Sequence, residues 1–337
     1  PLLRFNPLKW DQRIEPLKYN ESKQYYLESL EQISIQACAY FFDLLQAQVN
    51  YGIAQMNFSN TQNLLRIADE KFEMGKISKN EILQLNLEHL KAQKAVGIAR
   101  RDMEMATLNL RAYIGLQGTD RLALVLPDAV IRMSVDTAKV VAEALENRSD
   151  AIGFVRRILE AKREVSRAKG ENGLNATVTA RIGFSKSART IAKVYDAPIN
   201  QQAFQLELDI PILDWGRSKS RTKTAEALQQ FTEYAVEQDR QHFAQEIYTQ
   251  VTLFEMMKDQ LLLTAKADSI ASEKYQIARE RYVLGNLSIT DLSIAFQEND
   301  QAKQDYVFAL RDFWGAYYQL RYLSLYDFEK NQKIHFK

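Results

Sequence analysis

The sequence of 337 residues is short of the residues that break, cross-link or ligate: 12 Gly, 6 Pro, one Cys and 3 His. Glycine and proline together make up about 5% of the chain, where roughly 12% is ordinary. A loop-rich sandwich, a loop-rich barrel or a disordered linker needs more turn residues than that, so long helices are favoured. Cys38 has no second thiol for a disulfide or a zinc site, and His89, His242 and His335 lie far apart along the chain, so no metal or thiol chemistry is legible. The charge nearly cancels, with 44 Lys+Arg against 43 Asp+Glu. A net charge of +1 makes no field for nucleic acid, which is excluded as a partner, and the two signs read as interleaved, as on solvated helix faces. No run of 18 apolar residues is present, so no transmembrane helix is expected and a membrane role would have to use strands. The sequence starts at Pro1 without Met, a basic segment or an apolar segment, so a signal peptide is expected to have been removed or to lie outside it. No Ser-His-Asp, Cys-His or paired-carboxylate arrangement is found, so neither an enzyme nor a cofactor is expected.

What is present is periodicity. Residues 1–18 read as a strand stub and the entry to a first long helix. From Tyr19 to Glu73 there is no proline, and apolar residues return every three or four positions, as at Leu27, Leu30, Ile33, Ala37 and Phe41. The spacing predicts one helix of about 55 residues, roughly 80 Å long at 1.5 Å per residue. Gly75 stops it, and Ser78 with Glu81 three places on is a capping box that opens a second helix to Tyr113. Residues 19–114 are therefore a long helical hairpin with its tip near 75–78. Residues 115–149 read as a connecting segment with an apolar run, Leu122 to Leu126, and a short helix from Asp136 to Asn147. Residues 150–173 hold a medium helix, Asp150 to Lys169. Across 174–212 the period changes to two: Leu174 to Ser185 and Ala203 to Ile212 alternate apolar with polar residues, which predicts two strands of about ten residues each. Residues 213–323 repeat the hairpin plan, with a helix from Arg217 to Leu284, a break at Gly285 and Ser288, Asp291 three places further, and a last helix to Leu323. Residues 324–337 read as a tail.

The two tips belong to a repeat. Shifting the sequence by 210 positions aligns Leu64–Arg111 with Lys274–Arg321 without a gap. About 13 of the 48 columns are identical, where composition alone gives roughly three. Ala68/Ala278, Gly75/Gly285, Ser78/Ser288 and Arg111/Arg321 are among them, and Phe72/Tyr282, Ile77/Leu287 and Glu81/Asp291 are conservative. Upstream, Pro7-Leu8-Lys9-Trp10 is similar to Pro211-Ile212-Leu213-Asp214-Trp215. On that match Leu2 to Pro7 is expected to be a strand stub, the first repeat lacking its leading helix and most of its hairpin.

A lone hairpin with one apolar face is marginal in water. About ten alternating residues is the length of a tilted barrel strand in a bilayer, where open sheet edges are excluded. Two strands cannot close a barrel, and four cannot either, so the barrel would be shared between subunits; three subunits of four strands give roughly 12. The combination resembles the outer-membrane efflux protein family, the TolC-like channel-tunnels. The resemblance spans the whole chain and rests on Asp209-Ile210-Pro211-Ile212-Leu213-Asp214-Trp215-Gly216-Arg217, on the tips Phe72 to Ser78 and Tyr282 to Ser288, and on Ala142 to Arg148. It implies a mainly α fold with a small β part, in which long helical hairpins build an α-barrel and a β-hairpin is contributed to a shared outer-membrane β-barrel. It further implies a homotrimer in outer-membrane lipid, with a periplasmic helical extension in a Gram-negative type envelope. Such a trimer is a passive exit duct of a tripartite efflux or secretion system, working with a periplasmic adaptor and an inner-membrane transporter. Against the family pattern the chain looks truncated at its N-terminus.

The resemblance also assigns roles. Gly75, Ile77, Ser78 and Glu81, with Gly285, Leu287, Ser288 and Asp291, are expected at the periplasmic tip and gate, where the tube closes and the adaptor docks. Glu81 and Asp291 align with aspartates that line the entrance of the family's best-known member. Leu287 stands where that member has an arginine and Ile294 where it has a second aspartate, so neither its charged lock nor its double carboxylate ring is expected here. Arg181, Glu207 and Asp209 fall on the polar strand face and are expected to face a water-filled lumen. The aromatic residues of the last helix, such as Phe313, Trp314 and Tyr317, read as interhelical packing. The alternative from another class is a soluble coiled-coil scaffold without transport activity, which the long helices fit and the alternating hairpin does not.

Overall fold

The computed structural model describes residues 5–117, 122–125, 135–173, 175–187, 198–210 and 212–335. The elements are α1 (Pro7–Glu73), α2 (Lys79–Ile114), α3 (Thr137–Asn147), α4 (Ser149–Glu171), β1 (Asn175–Ser185), β2 (Ile199–Asp209), α5 (Arg217–Val283), α6 (Ile289–Ser324), β3 (Tyr326–Asp327) and β4 (Gln332–Lys333). The sequence periodicity thus finds every long element. Its first boundary is wrong: α1 has 67 residues and starts at Pro7, with Pro16 inside it. Pro7 opens the helix where its missing N–H is not needed. Pro16 removes one bond of the helical ladder, yet the segment is held by its surroundings: Ile14 is fully buried, and Glu21 takes two bonds from Arg156. The expected strand stub is therefore helical at Pro7, while Leu2, Leu3 and Arg4 lie outside the described residues, as does Leu126 of the apolar run.

The chain divides into two compact units. One holds the described residues up to Tyr25 and Leu145–Gln245. In it α4 packs through Phe154, edge-on to Phe243 with ring centroids 6.2 Å apart. A Cβ at Gly153 would meet Glu21 Oε1 at 3.1 Å, so a side chain there would press on the carboxylate that Arg156 holds. Arg156 also bonds Glu160 at 2.8 Å, and Arg157 pairs with Asp239 at 2.5 Å. Asn172, just after α4, donates to the Ser218 carbonyl at 2.8 Å and to Thr222 Oγ1 at 3.1 Å, which ties the end of α4 to the start of α5.

From this unit the β1–β2 hairpin projects as an antiparallel pair of eleven matched residues, from Asn175↔Asp209 to Ser185↔Ile199. The second strand lies earlier than the Ala203–Ile212 alternation indicates. The described ladder runs only as far as Asn175↔Asp209 at this end, and Leu174 and Pro211, expected in the strands, lie outside the described residues. Opposite residues share a face. Ala176↔Leu208, Val178↔Leu206 and Ala180↔Phe204 make one side apolar, and Thr177↔Glu207, Thr179↔Gln205 and Arg181↔Ala203 make the other polar.

The second unit holds Tyr26–Ala144 and Glu246–Lys337. Its core includes Leu44, Phe254, Leu310, Phe313 and Leu320, all fully buried, and the Phe254 and Phe313 rings lie 5.5 Å apart. Tyr317, in the aromatic run of α6, is 1% exposed, which fits packing between helices. The tail after α6 is more ordered than expected. Leu325 turns left-handed at φ 48°, and β3 pairs with β4 through Tyr326↔Lys333 and Asp327↔Gln332. Buried Asp327 accepts from Tyr317 Oη at 3.2 Å and from the backbone N–H groups of Glu329 and Lys330. Arg321 completes the knot, with Glu31 at 2.9 Å and Asp327 at 3.4 Å.

Candidate functional site

The two tips lie in the second unit and are built alike. Gly75 and Gly285 take φ 71° and 79°, a left-handed turn that a side chain resists. Gly75 N–H bonds the Phe72 carbonyl at 2.8 Å and Lys76 N–H the Lys71 carbonyl at 2.8 Å. Gly285 N–H bonds Tyr282 at 3.0 Å and Asn286 N–H bonds Arg281 at 2.8 Å. These are paired Schellman closures, each ending one long helix. The starts of the next helices differ. Ser78 Oγ accepts from Glu81 N–H at 3.3 Å, while Glu81 Oε2 reaches back to Ser78 N–H at 2.8 Å, a complete capping box. Ser288 Oγ accepts from Asp291 N–H at 3.1 Å and donates to Asp291 Oδ2 at 2.8 Å. Asp291 is one methylene shorter than Glu81 and caps by one arm only.

The tips are joined by an apolar core of Ala68, Leu85, Tyr275, Tyr282, Ile289 and Leu292, against which Ile77 and Leu287 pack half-buried. Lys71 crosses between them: its Nζ lies 4.8 Å from the centre of the Tyr282 ring and donates to the Tyr282 carbonyl at 3.2 Å, a cation on the carbonyl end of α5. Burial pushes the Tyr282 phenol up, and the nearby Glu81 carboxylate adds to that. The structure therefore gathers Gly75, Ile77, Ser78 and Glu81 with Gly285, Leu287, Ser288 and Asp291 at one end of one unit. Asp291 is exposed and Glu81 half-exposed.

Further along the same helices, Asn57 Nδ2 donates to Asp300 Oδ2 at 2.5 Å. The remaining oxygens, Asn57 Oδ1 and Asp300 Oδ1, are buried without a partner. Both side chains line a groove of about 500 Å³ with Asp43 and Asp102. Burial pushes the Asp300 carboxyl up to about 6, against the opposing effects of Asn57 and Lys303. Sequence reasoning missed this pair, since its only signal is two polar residues on apolar helix faces.

On the hairpin, Arg181 and Glu207 are exposed on the same polar face but are not brought together. Asp209 closes β2, and its side chain lies outside the described residues. The apolar face is bare in the single chain, with Phe204 76%, Leu206 64% and Ile182 77% exposed. Sequence reasoning also passed over a basic run at the start of α5: Arg217, Lys219, Arg221 and Lys223 are all exposed. Among the described residues no cluster of three or more His, Cys, Asp or Glu could hold a metal, and no helix is long and apolar enough to cross a membrane.

A family model described as outer membrane efflux protein matches residues 156–324. Among solved structures, the chain is similar to the Campylobacter jejuni CmeC outer membrane channel, with 15% identity, a TM-score of 0.72, and 98% of this chain and 69% of that one covered. The outer-membrane channel OprN gives 14%, 0.75, 95% and 72%. The outer membrane protein VceC of Vibrio cholerae gives 14%, 0.68, 97% and 77%. At such identities the likeness is one of fold. A comparison with curated protein sequences finds no match.

Proposed function

The chain belongs to the outer membrane efflux protein family, whose model matches it over half its length, and from that premise we propose a homotrimeric channel-tunnel that serves as a passive exit duct. The observation that carries this reading is the hairpin. Eleven residues per strand span roughly 36 Å at about 3.3 Å each, or about 28 Å when tilted by roughly 40°, close to the ~30 Å hydrocarbon core of a bilayer. Its apolar face suits outer-membrane lipid, its polar face with Arg181, Glu207 and Asp209 suits a water-filled lumen, and its unpaired edges call for strands beyond this pair. The helical hairpins supply the periplasmic tube, whose tips meet the periplasmic adaptor. The family is one of passive channels, and with no nucleotide-binding or ion-coupling motif in the sequence, energy comes from the inner-membrane transporter.

In a trimer Glu81 and Asp291 place six carboxylates near the entrance, two from each chain, which repel one another and concentrate cations. The closed tip leans on the apolar contacts of Ile77 and Leu287 rather than on a charged lock. Single-channel recording of the complete trimer tests this. Glu81→Gln with Asp291→Asn is expected to lower cation selectivity, and unchanged selectivity would overturn the entrance assignment.

A further inference from the structure

The chain as a whole is nearly neutral, yet Arg217, Lys219, Arg221 and Lys223 put four cations into seven residues, and no acidic residue occurs between Asp214 and Glu226. All four are exposed, and none forms an ion pair with a described residue. The first turn of α5 has no acidic residue, so these cations also sit at the positive end of the helix dipole, an unfavourable arrangement for the chain alone. Several carboxylates lie nearby, and none pairs with the four: Asp214 accepts from Gly216 N–H at 3.0 Å and Ser218 N–H at 2.8 Å, and of Glu164 and Glu171, which share a groove with Arg217 and Arg221, Glu164 pairs with Arg163 and Arg167. Lys169 of α4 lies beside Lys219 and Lys223 along one shallow groove, and its own partner is Glu226 at 2.8 Å.

The depth of this patch follows from the hairpin it adjoins. If the hairpin fills the hydrocarbon core, the polar headgroup layer on its helical side adds roughly 5–8 Å. The first two turns of α5 rise about 10 Å and begin directly after the junction that leaves β2. That junction is apolar and aromatic, with Ile212 93%, Leu213 71% and Trp215 90% exposed, the composition of a chain at a membrane interface. We propose that Arg217, Lys219, Arg221 and Lys223 form a binding surface for the anionic headgroups of phospholipids in the leaflet on the helical side of the hairpin. The inference rests on the hairpin being membrane-spanning. The recognised chemistry is a phosphodiester carrying net negative charge, drawn by four cations that outnumber the carboxylates lining the same grooves and pair with none among the described residues.

The test uses the complete trimer in nanodiscs of equal phosphatidylglycerol and phosphatidylethanolamine, with native mass spectrometry of the lipids retained on release. The natural protein is expected to retain phosphatidylglycerol at least threefold over phosphatidylethanolamine, with the preference falling as salt is raised. The quadruple variant Arg217→Gln, Lys219→Gln, Arg221→Gln, Lys223→Gln is expected to lose it. Arg217→Lys with Arg221→Lys, which keeps the charge, is expected to retain it. If the quadruple variant fails to assemble, the two pairwise Gln variants decide, each expected to lower the preference. Equal retention of both lipids by the natural trimer overturns the inference, as does a preference unaffected by every Gln variant. Loss of trimers in the Gln variants without any lipid preference in the natural protein assigns the cations to a neighbouring subunit and overturns it too. Quenching of Trp215 fluorescence by brominated lipid reports separately whether the hairpin region enters the bilayer, so failure of the membrane reading is told apart from failure of the headgroup site.

Discussion

Asp300 carries the clearest pH signature in the chain. Its carboxyl is pushed up to about 6 by burial, above the ordinary carboxylate value of about 3.9. A folded-state value raised above the unfolded one means that the folded protein binds the proton more tightly. The stabilisation is fully present below about pH 4 and is lost as pH rises through 6. A proton on Asp300 Oδ1 would also supply a donor where that oxygen and Asn57 Oδ1 both lack a partner. Lys303 pulls the other way, and Tyr275 lies close enough for its phenol to feel the Asp300 charge. Asp300→Asn is therefore expected to stabilise the protein at pH 8 by on the order of 1 kcal/mol, the full shift being reduced by partial exposure, and by about half as much at pH 5, midway between the unfolded and folded values. Thermal melts at the two pH values check this; equal effects at both would contradict it. Cys38 makes a second case. Burial pushes its thiol up to about 11 against the pull of Arg311, so alkylation at pH 7.5 is expected to be far slower than for a free cysteine. Neither value was legible in the sequence, because each depends on which helices cover the side chain.

At the scale of elements, local chemistry was readable and long-range chemistry was not. Gly75, Ser78 and Glu81 write out a stop, a cap and a capping acid within seven residues, and the structure forms all three. Ser78→Ala is expected to destabilise the first hairpin by about 1 kcal/mol, whereas Glu81→Gln keeps the box, since glutamine caps equally. The amide of Ser288, with no reach-back acceptor from Asp291, is expected to exchange hydrogen faster than that of Ser78. The start of α1, the limits of β2 and the β3–β4 pair escaped the sequence, because each depends on packing that the local pattern does not mark: buried Ile14 and the Arg156–Glu21 pair for the first, the partner strand for the second, and buried Asp327 for the third. Asp327→Ala removes the acceptor for Tyr317, Glu329 and Lys330 and one counter-charge of Arg321. A loss of about 2–3 kcal/mol in denaturant unfolding is expected; a loss under 1 would show the knot to be ornamental.

For the whole molecule, the tip residues were legible as positions because the repeat marks them twice, while the basic run escaped because a neutral sum conceals a local excess. Mass measurement of the complete protein in detergent is expected to give three subunits, and a stable monomer with an ordered, lipid-embedded hairpin would contradict the trimer. The eleven-pair ladder carries one more consequence, which concerns time. Among the described residues β1 and β2 have only each other as neighbours, so their outer backbone N–H and C=O groups stay bare until another strand arrives. Water tolerates that state, and a bilayer penalises every such group by several kcal/mol. A chain travelling alone can therefore wait beside the membrane but not within it: assembly comes first and insertion second. In a pulse-chase experiment, trimers should appear before the hairpin becomes protected from protease.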